Sequence, residues 1–148
     1  MRAIRCSIVL ALLAFAAAPA ASASPPQPVT LDLHGHFTGP STIEGSWDAD
    51  GAFADSGTYT ESFRLAGRTV YTRKVLVGDE GTLQLRAEAV VNWLTPTFAT
   101  FKAGNWRIMS GTGAYEHLHA GGTPGVTADT FADLATGEVH MVHVGEAH

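Results

Sequence analysis

The stretch VTLDLHGHFT, residues 29–38, decides how this chain folds. Val29, Leu31, Leu33 and Phe37 share one parity, while Thr30, Asp32, His34, His36 and Thr38 share the other. A period of two places successive side chains on opposite faces of an extended backbone, so the segment predicts a strand with one face buried and the other in water.

The same alternation continues outward from it. After Gly39-Pro40, residues Ile43, Gly45 and Trp47 alternate with Glu44, Ser46 and Asp48, and Asp50-Gly51 signals a tight hairpin turn. Phe53, Gly57, Tyr59, Phe63 and Leu65 then share one parity; Ala66-Gly67 turns the chain into the β-branched run Thr69 to Val77, and Asp79-Glu80-Gly81 turns it into Leu83 to Val91. Asn92 to Gly104 is interrupted by Pro96 and keeps no parity for long, so it is read as a long connection. Trp106 and Ile108 mark a further strand, Ser110 to Gly122 a glycine-punctuated turn region, and Thr123 to Phe131 and Val139 to Val144 two more strands, about eight in all. No apolar pattern at helical spacing lasts a dozen residues. The expected fold is all-β, a single antiparallel meander barrel over residues 29–148, favoured over a sandwich because closure leaves no exposed sheet edge.

Upstream of the barrel, Arg2 and Arg5 precede an apolar run from Ile8 to Ala18 and the small-residue site Ala21-Ser22-Ala23. These features define a secretory signal peptide over residues 1–23, too short before Pro19 to span a bilayer. A secreted or periplasmic protein without a stable membrane anchor is expected, and residues 24–28 (SPPQP) form a proline-rich lead. Cleavage would remove Cys6, the one cysteine, and leave seven Lys and Arg against fourteen Asp and Glu, a formal charge of −7. No disulfide framework is available to such a chain, and no basic cluster in the linear sequence suggests a nucleic-acid partner.

The segment WRIMSGTGAYEHLHAGGT, residues 106–123, resembles the signature turn of the allene oxide cyclase and dirigent barrel superfamily, G-[TS]-G-x-[FY] followed by a glycine. The matching residues are Gly111, Thr112, Gly113, Tyr115 and Gly121, and ADSGTYTESFR (54–64) and GDEGTLQLR (78–86) look like segments of small exported bacterial members. The resemblance implies a calycin-like barrel, with trimers and dimers among its members, and a corner in which Tyr115 plugs one end. No cyclase catalytic residue can be carried over, and the arginine that follows the motif in dirigent proteins is missing here.

Asp55 and Glu61 share the apolar parity of the third strand and would lie inside a barrel, where a carboxyl must be paired, hydrogen-bonded or protonated. Both are therefore candidate general acids. A three-residue loop over Ala66 to Arg68 would set Glu61 against Arg73 and Phe63 against Tyr71; a two-residue loop would set Glu61 against Thr72 and Tyr59 against Lys74. Tyr59, Phe63, Tyr71, Trp93, Phe98, Phe101, Trp106 and Tyr115 are the aromatic candidates for ligand contact. His34 and His36 could share a metal with Asp32 beside them, but only pairs of ligands are visible and His36 falls near Glu44, so no metal centre and no cofactor are expected. The reading is a barrel that binds a small hydrophobic or aromatic molecule. Its rivals are a cofactor-independent cyclase or isomerase using a buried carboxylate, and a cavity-free module of the cell envelope.

Overall fold

The computed structural model describes residues 25–123, 127 and 129–148; the expected leader, residues 1–23, lies outside the described residues. Nine strands follow one another as β1 (Gln27–Gly39), β2 (Thr42–Gly51), β3 (Asp55–Ala66), β4 (Thr69–Gly78), β5 (Thr82–Trp93), β6 (Phe98–Gly111), β7 (Ala120–Gly122), β8 (Phe131–Asp133) and β9 (Glu138–Ala147), with one 3-10 turn at Gly113–Tyr115. Each strand from β1 to β6 pairs antiparallel with the next, β7 and β8 both bridge β6 to β9, and β9 pairs with β1. The result is a closed antiparallel barrel of eight staves, the seventh built from two short strands in line.

Side chains replace the ladder where that seventh stave is interrupted. The Trp106 indole donates to the Val144 carbonyl at 2.9 Å, and the Thr130 hydroxyl accepts from the Val142 amide at 2.9 Å. These bonds satisfy buried backbone groups that have no strand partner there.

The first strand has the alternation expected of it, with Val29, Leu31 and Leu33 buried among Trp47, Tyr59, Leu76, Leu83 and Leu85. Asn92 to Gly104 departs from expectation: it is the β5–β6 hairpin, with a short tip at residues 94–97 in which the Thr95 hydroxyl accepts from the Phe98 amide at 2.9 Å. Parity fails in the sequence because β6 bulges. Ala89 faces Gly104 while Val91 faces Phe101, so β6 carries one extra residue, and its inward set changes from Ala99 and Phe101 to Trp106 and Ile108.

The β3–β4 turn takes neither expected register. Ala66 pairs with Thr69 around a two-residue loop, and Gly67, at φ +62°, adopts the left-handed conformation that such a hairpin demands of its first turn residue. Glu61 therefore lies opposite Lys74, whereas Tyr71 and Arg73 fall on the outer parity, where both are exposed.

Charge divides the outer wall. Every Lys and Arg from residue 24 onward lies between Arg64 and Arg107, so β3 to β6 and the β3–β4 turn carry them all. Register sets Arg73 opposite Arg86 and Arg86 opposite Arg107, a basic row that the linear sequence does not display. The β9–β1–β2 wall has only acids and histidines among its charged or titratable groups.

Asp55 fastens one end. Its carboxylate accepts from the Tyr115 hydroxyl at 2.5 Å and from the amides of Ser56, Asp79 and Glu80 at 2.8, 3.1 and 3.3 Å. Tyr115 is buried against Phe53, so the GTGAY corner and the β2–β3 and β4–β5 turns close this end together. Burial works against the charged form of Asp55, yet the bonds from Tyr115, Ser56, Glu80 and Asp79 outweigh it and hold the carboxyl below its ordinary range. A depressed carboxylate stabilises the fold above its unfolded pKa and loses that contribution as pH falls through the folded value. Thermal melts are thus expected to fall steeply below about pH 4. Asp55→Ala protein should melt lower at neutral pH, with a shallower acid limb; identical acid limbs in the two proteins would count against this role.

Candidate functional site

The opposite end is hollow. A cavity of about 600 Å³ reaches inward from the β1–β2, β3–β4, β5–β6 and β8–β9 turns. Its wall is apolar because the inward positions of six strands meet there: Phe37, Ile43, Phe63, Ala87 with Ala89 and Val91, Ala99 with Phe101, and Val139. Small alanines on β5 and β6 face larger side chains across the barrel, which leaves the space unfilled. Leu65, Trp93 and Leu134, each about half exposed, give the mouth an apolar rim on three separate turns.

Polar groups collect at the inner end of this space. Lys74 Nζ donates to Glu61 Oε2 at 2.7 Å, to the Thr72 hydroxyl at 3.0 Å and to the Met141 sulfur at 3.4 Å. Lys74 and Glu61 are each almost fully buried, at 1% and 4% exposure. His143, also buried, lines the cavity and lies against the Trp106 ring, with centroids 5.9 Å apart. Burial pushes the Glu61 carboxyl up and the Lys74 ammonium down, each opposed by attraction to the other. The pair is neutral overall, whichever partner holds the shared proton. Just beyond it, the Tyr59 hydroxyl is buried over Gly35 and has no hydrogen-bond partner among the described residues. A methyl group at Gly35 would collide with that hydroxyl, so the glycine makes room for the ring.

The sequence-derived candidates divide accordingly. Glu61, Phe63, Trp93 and Phe101 meet at the cavity. Asp55 and Tyr115 belong to the closed end, and Trp106 sits behind His143 in the wall. Three placements are corrected. Arg73 cannot partner Glu61 because the observed loop turns it outward, Tyr71 lies outside under the Arg64 guanidinium at 4.4 Å, and Phe98 stacks on Phe131 at 5.6 Å rather than lining the cavity. His36 lies opposite Glu44, as its spacing suggests. Lys74, Thr72, Met141 and His143 were not singled out as contributors to the cavity floor. Their signal is faint, since β4 alternates Thr72, Lys74 and Leu76 inward with Tyr71, Arg73, Val75 and Val77 outward, and the outward set is no less apolar.

Comparison with family models, curated proteins and solved structures found no match to the chain.

Removing one member of the buried pair leaves the other's charge without compensation. Lys74→Met is expected to destabilise the protein by about 3–5 kcal/mol, and the double substitution Glu61→Leu/Lys74→Met to regain most of that loss, as read from urea unfolding. A double variant no more stable than Lys74→Met would show that the loss comes from packing and not from the orphaned carboxylate.

Proposed function

We propose that this is an exported barrel that binds a small apolar or aromatic molecule in its open end. The observation that carries the reading is the cavity itself: about 600 Å³, apolar-walled, with an apolar rim and a compact polar floor. That volume suits one small ligand, and a mostly apolar lining with a few converging polar groups is typical of such sites. The resemblance of the Gly111 to Tyr115 segment to the allene oxide cyclase and dirigent barrels implies the same kind of interior. The export half of the proposal rests on Met1 to Ala23 alone.

The floor favours binding over acid catalysis. A carboxyl acting as a general acid needs its proton within reach of the substrate, whereas one Glu61 oxygen is held by Lys74 at 2.7 Å. The neutral pair also selects against charged ligands, because a third charge buried beside it would be desolvated without a counter-ion. A ligand carbonyl or hydroxyl could take the place of the Met141 sulfur, the weakest of the three Lys74 acceptors, and its apolar body would replace water along the wall.

Trp93 at the rim supplies a reporter. Titration with neutral aromatic compounds, fatty alcohols and fatty acids should give saturable fluorescence changes at one molecule per chain, tighter for the alcohols than for the acids. Ala89→Phe, which fills the wall, should abolish the change while leaving the melt intact. No response to any of these compounds would overturn the proposal.

A further inference from the structure

On the outer wall, away from the cavity, β1 and β9 bring together three side chains that are far apart in the chain. Register sets His34 directly opposite His140, and Asp32 lies two residues along β1 on the same face. His140 Nε2 is 2.7 Å and His34 Nε2 is 3.3 Å from the same Asp32 oxygen, and the three ligand atoms all lie within 4.8 Å of one another. We propose that Asp32, His34 and His140 form a surface site for a transition-metal dication of the zinc class.

Ligand chemistry, spacing and surrounding charge support it together. Two imidazoles and one carboxylate suit zinc and its neighbours, whereas magnesium and calcium prefer oxygen alone. Bonds of about 2.0–2.1 Å to a tetrahedral ion place ligand atoms a little over 3 Å apart, against 2.7 and 3.3 Å from the two imidazole nitrogens to the Asp32 oxygen. The two rings stack at 4.2 Å and 11°, and a metal must lie in the plane of each imidazole it binds. Coordination therefore swings the rings out of parallel. His34 can do this freely because its side chain is 60% exposed, while His140 is braced edge-on by Phe131 at 5.8 Å.

The surroundings lack any competing cation. Residues 25–63 and 108–148 contain no Lys or Arg, so β1, β2, β8 and β9 present none. Asp48 on β2 lies directly opposite Asp32, and Glu44 and Glu138 both lie opposite His36. Like charges directly across a ladder repel, and a dication beside Asp32 would relieve the Asp32–Asp48 pair. Three protein ligands leave at least one coordination position open, as catalytic rather than structural zinc sites do. His36, singled out beside His34 in the sequence, lies two residues beyond His34 on the side away from Asp32, opposite Glu44 and Glu138; the ligand that completes the set is His140.

The test uses protein purified without an affinity tag, stripped with a chelator and titrated calorimetrically with zinc, with cobalt absorption as a second readout. One equivalent per chain is expected, with a higher melting temperature in its presence. His140→Ala and Asp32→Asn should each weaken binding by about 10-fold or more, and His36→Ala should leave it unchanged. Metal-free melts close to that of the parent would show that each variant folds. The proposal is overturned by the absence of both heat and cobalt spectrum, or by binding that persists in both His140→Ala and Asp32→Asn.

Discussion

The ladder between β1 and β9, ten residue pairs from Gln27–Ala147 to His36–Glu138, holds everything else in place. Its inward residues bring Met141 and His143 to the cavity floor, and its outward residues set His140 against His34. Pairings this distant in sequence become favourable only once the intervening chain has lost much of its freedom. In a partly closed sheet Met141 and His143 cannot join the Glu61–Lys74 pair, and His140 cannot meet His34. Two chemically unrelated clusters, on opposite faces of β9, thus depend on one closure for their last members.

Much of the fold was legible because one-sided burial writes itself into alternation, as in Val29 to Phe37. Legibility failed where the period broke. The β6 bulge moved the inward parity between Phe101 and Trp106, which made a hairpin look like a long connection. It failed again on β4, where Tyr71, Val75 and Val77 occupy outward positions as apolar as the inward ones and a one-residue change in turn geometry exchanged Arg73 for Lys74 as the partner of Glu61. Glu61 itself was readable as a buried acid, since it shared parity with Tyr59 and Phe63. His140 was not readable as a companion of His34, because nothing local to either residue specifies barrel closure.

The Glu61–Lys74 pair sits where a hydrophobic pair of similar volume would serve stability as well or better. Polar groups retained at such a position mark a place where local stability rules yield to another demand. Here they are flanked on one side by the Tyr59 hydroxyl, which has no hydrogen-bond partner among the described residues, and on the other by an apolar hollow. The closed end shows the contrasting use of a carboxylate: Asp55 receives four hydrogen bonds and joins three turns. Two acids on one strand, six residues apart and on one parity, have been given different work by what surrounds them.

The division of charge around the barrel gives the molecule a transverse electric dipole, with an arginine-bearing flank on β3 to β6 and an acidic flank on β9, β1 and β2. A body of this kind experiences a torque in any external field, so it turns before it touches a charged surface, its arginine flank leading toward anionic material and its acidic flank toward cationic material. Because the mouth of the cavity lies at one end of the barrel and on neither flank, an encounter led by a flank would leave the mouth facing solvent. Salt weakens the alignment over a distance of about 10 Å at 0.1 M ionic strength, so orientation would vary with ionic strength while access to the interior would not.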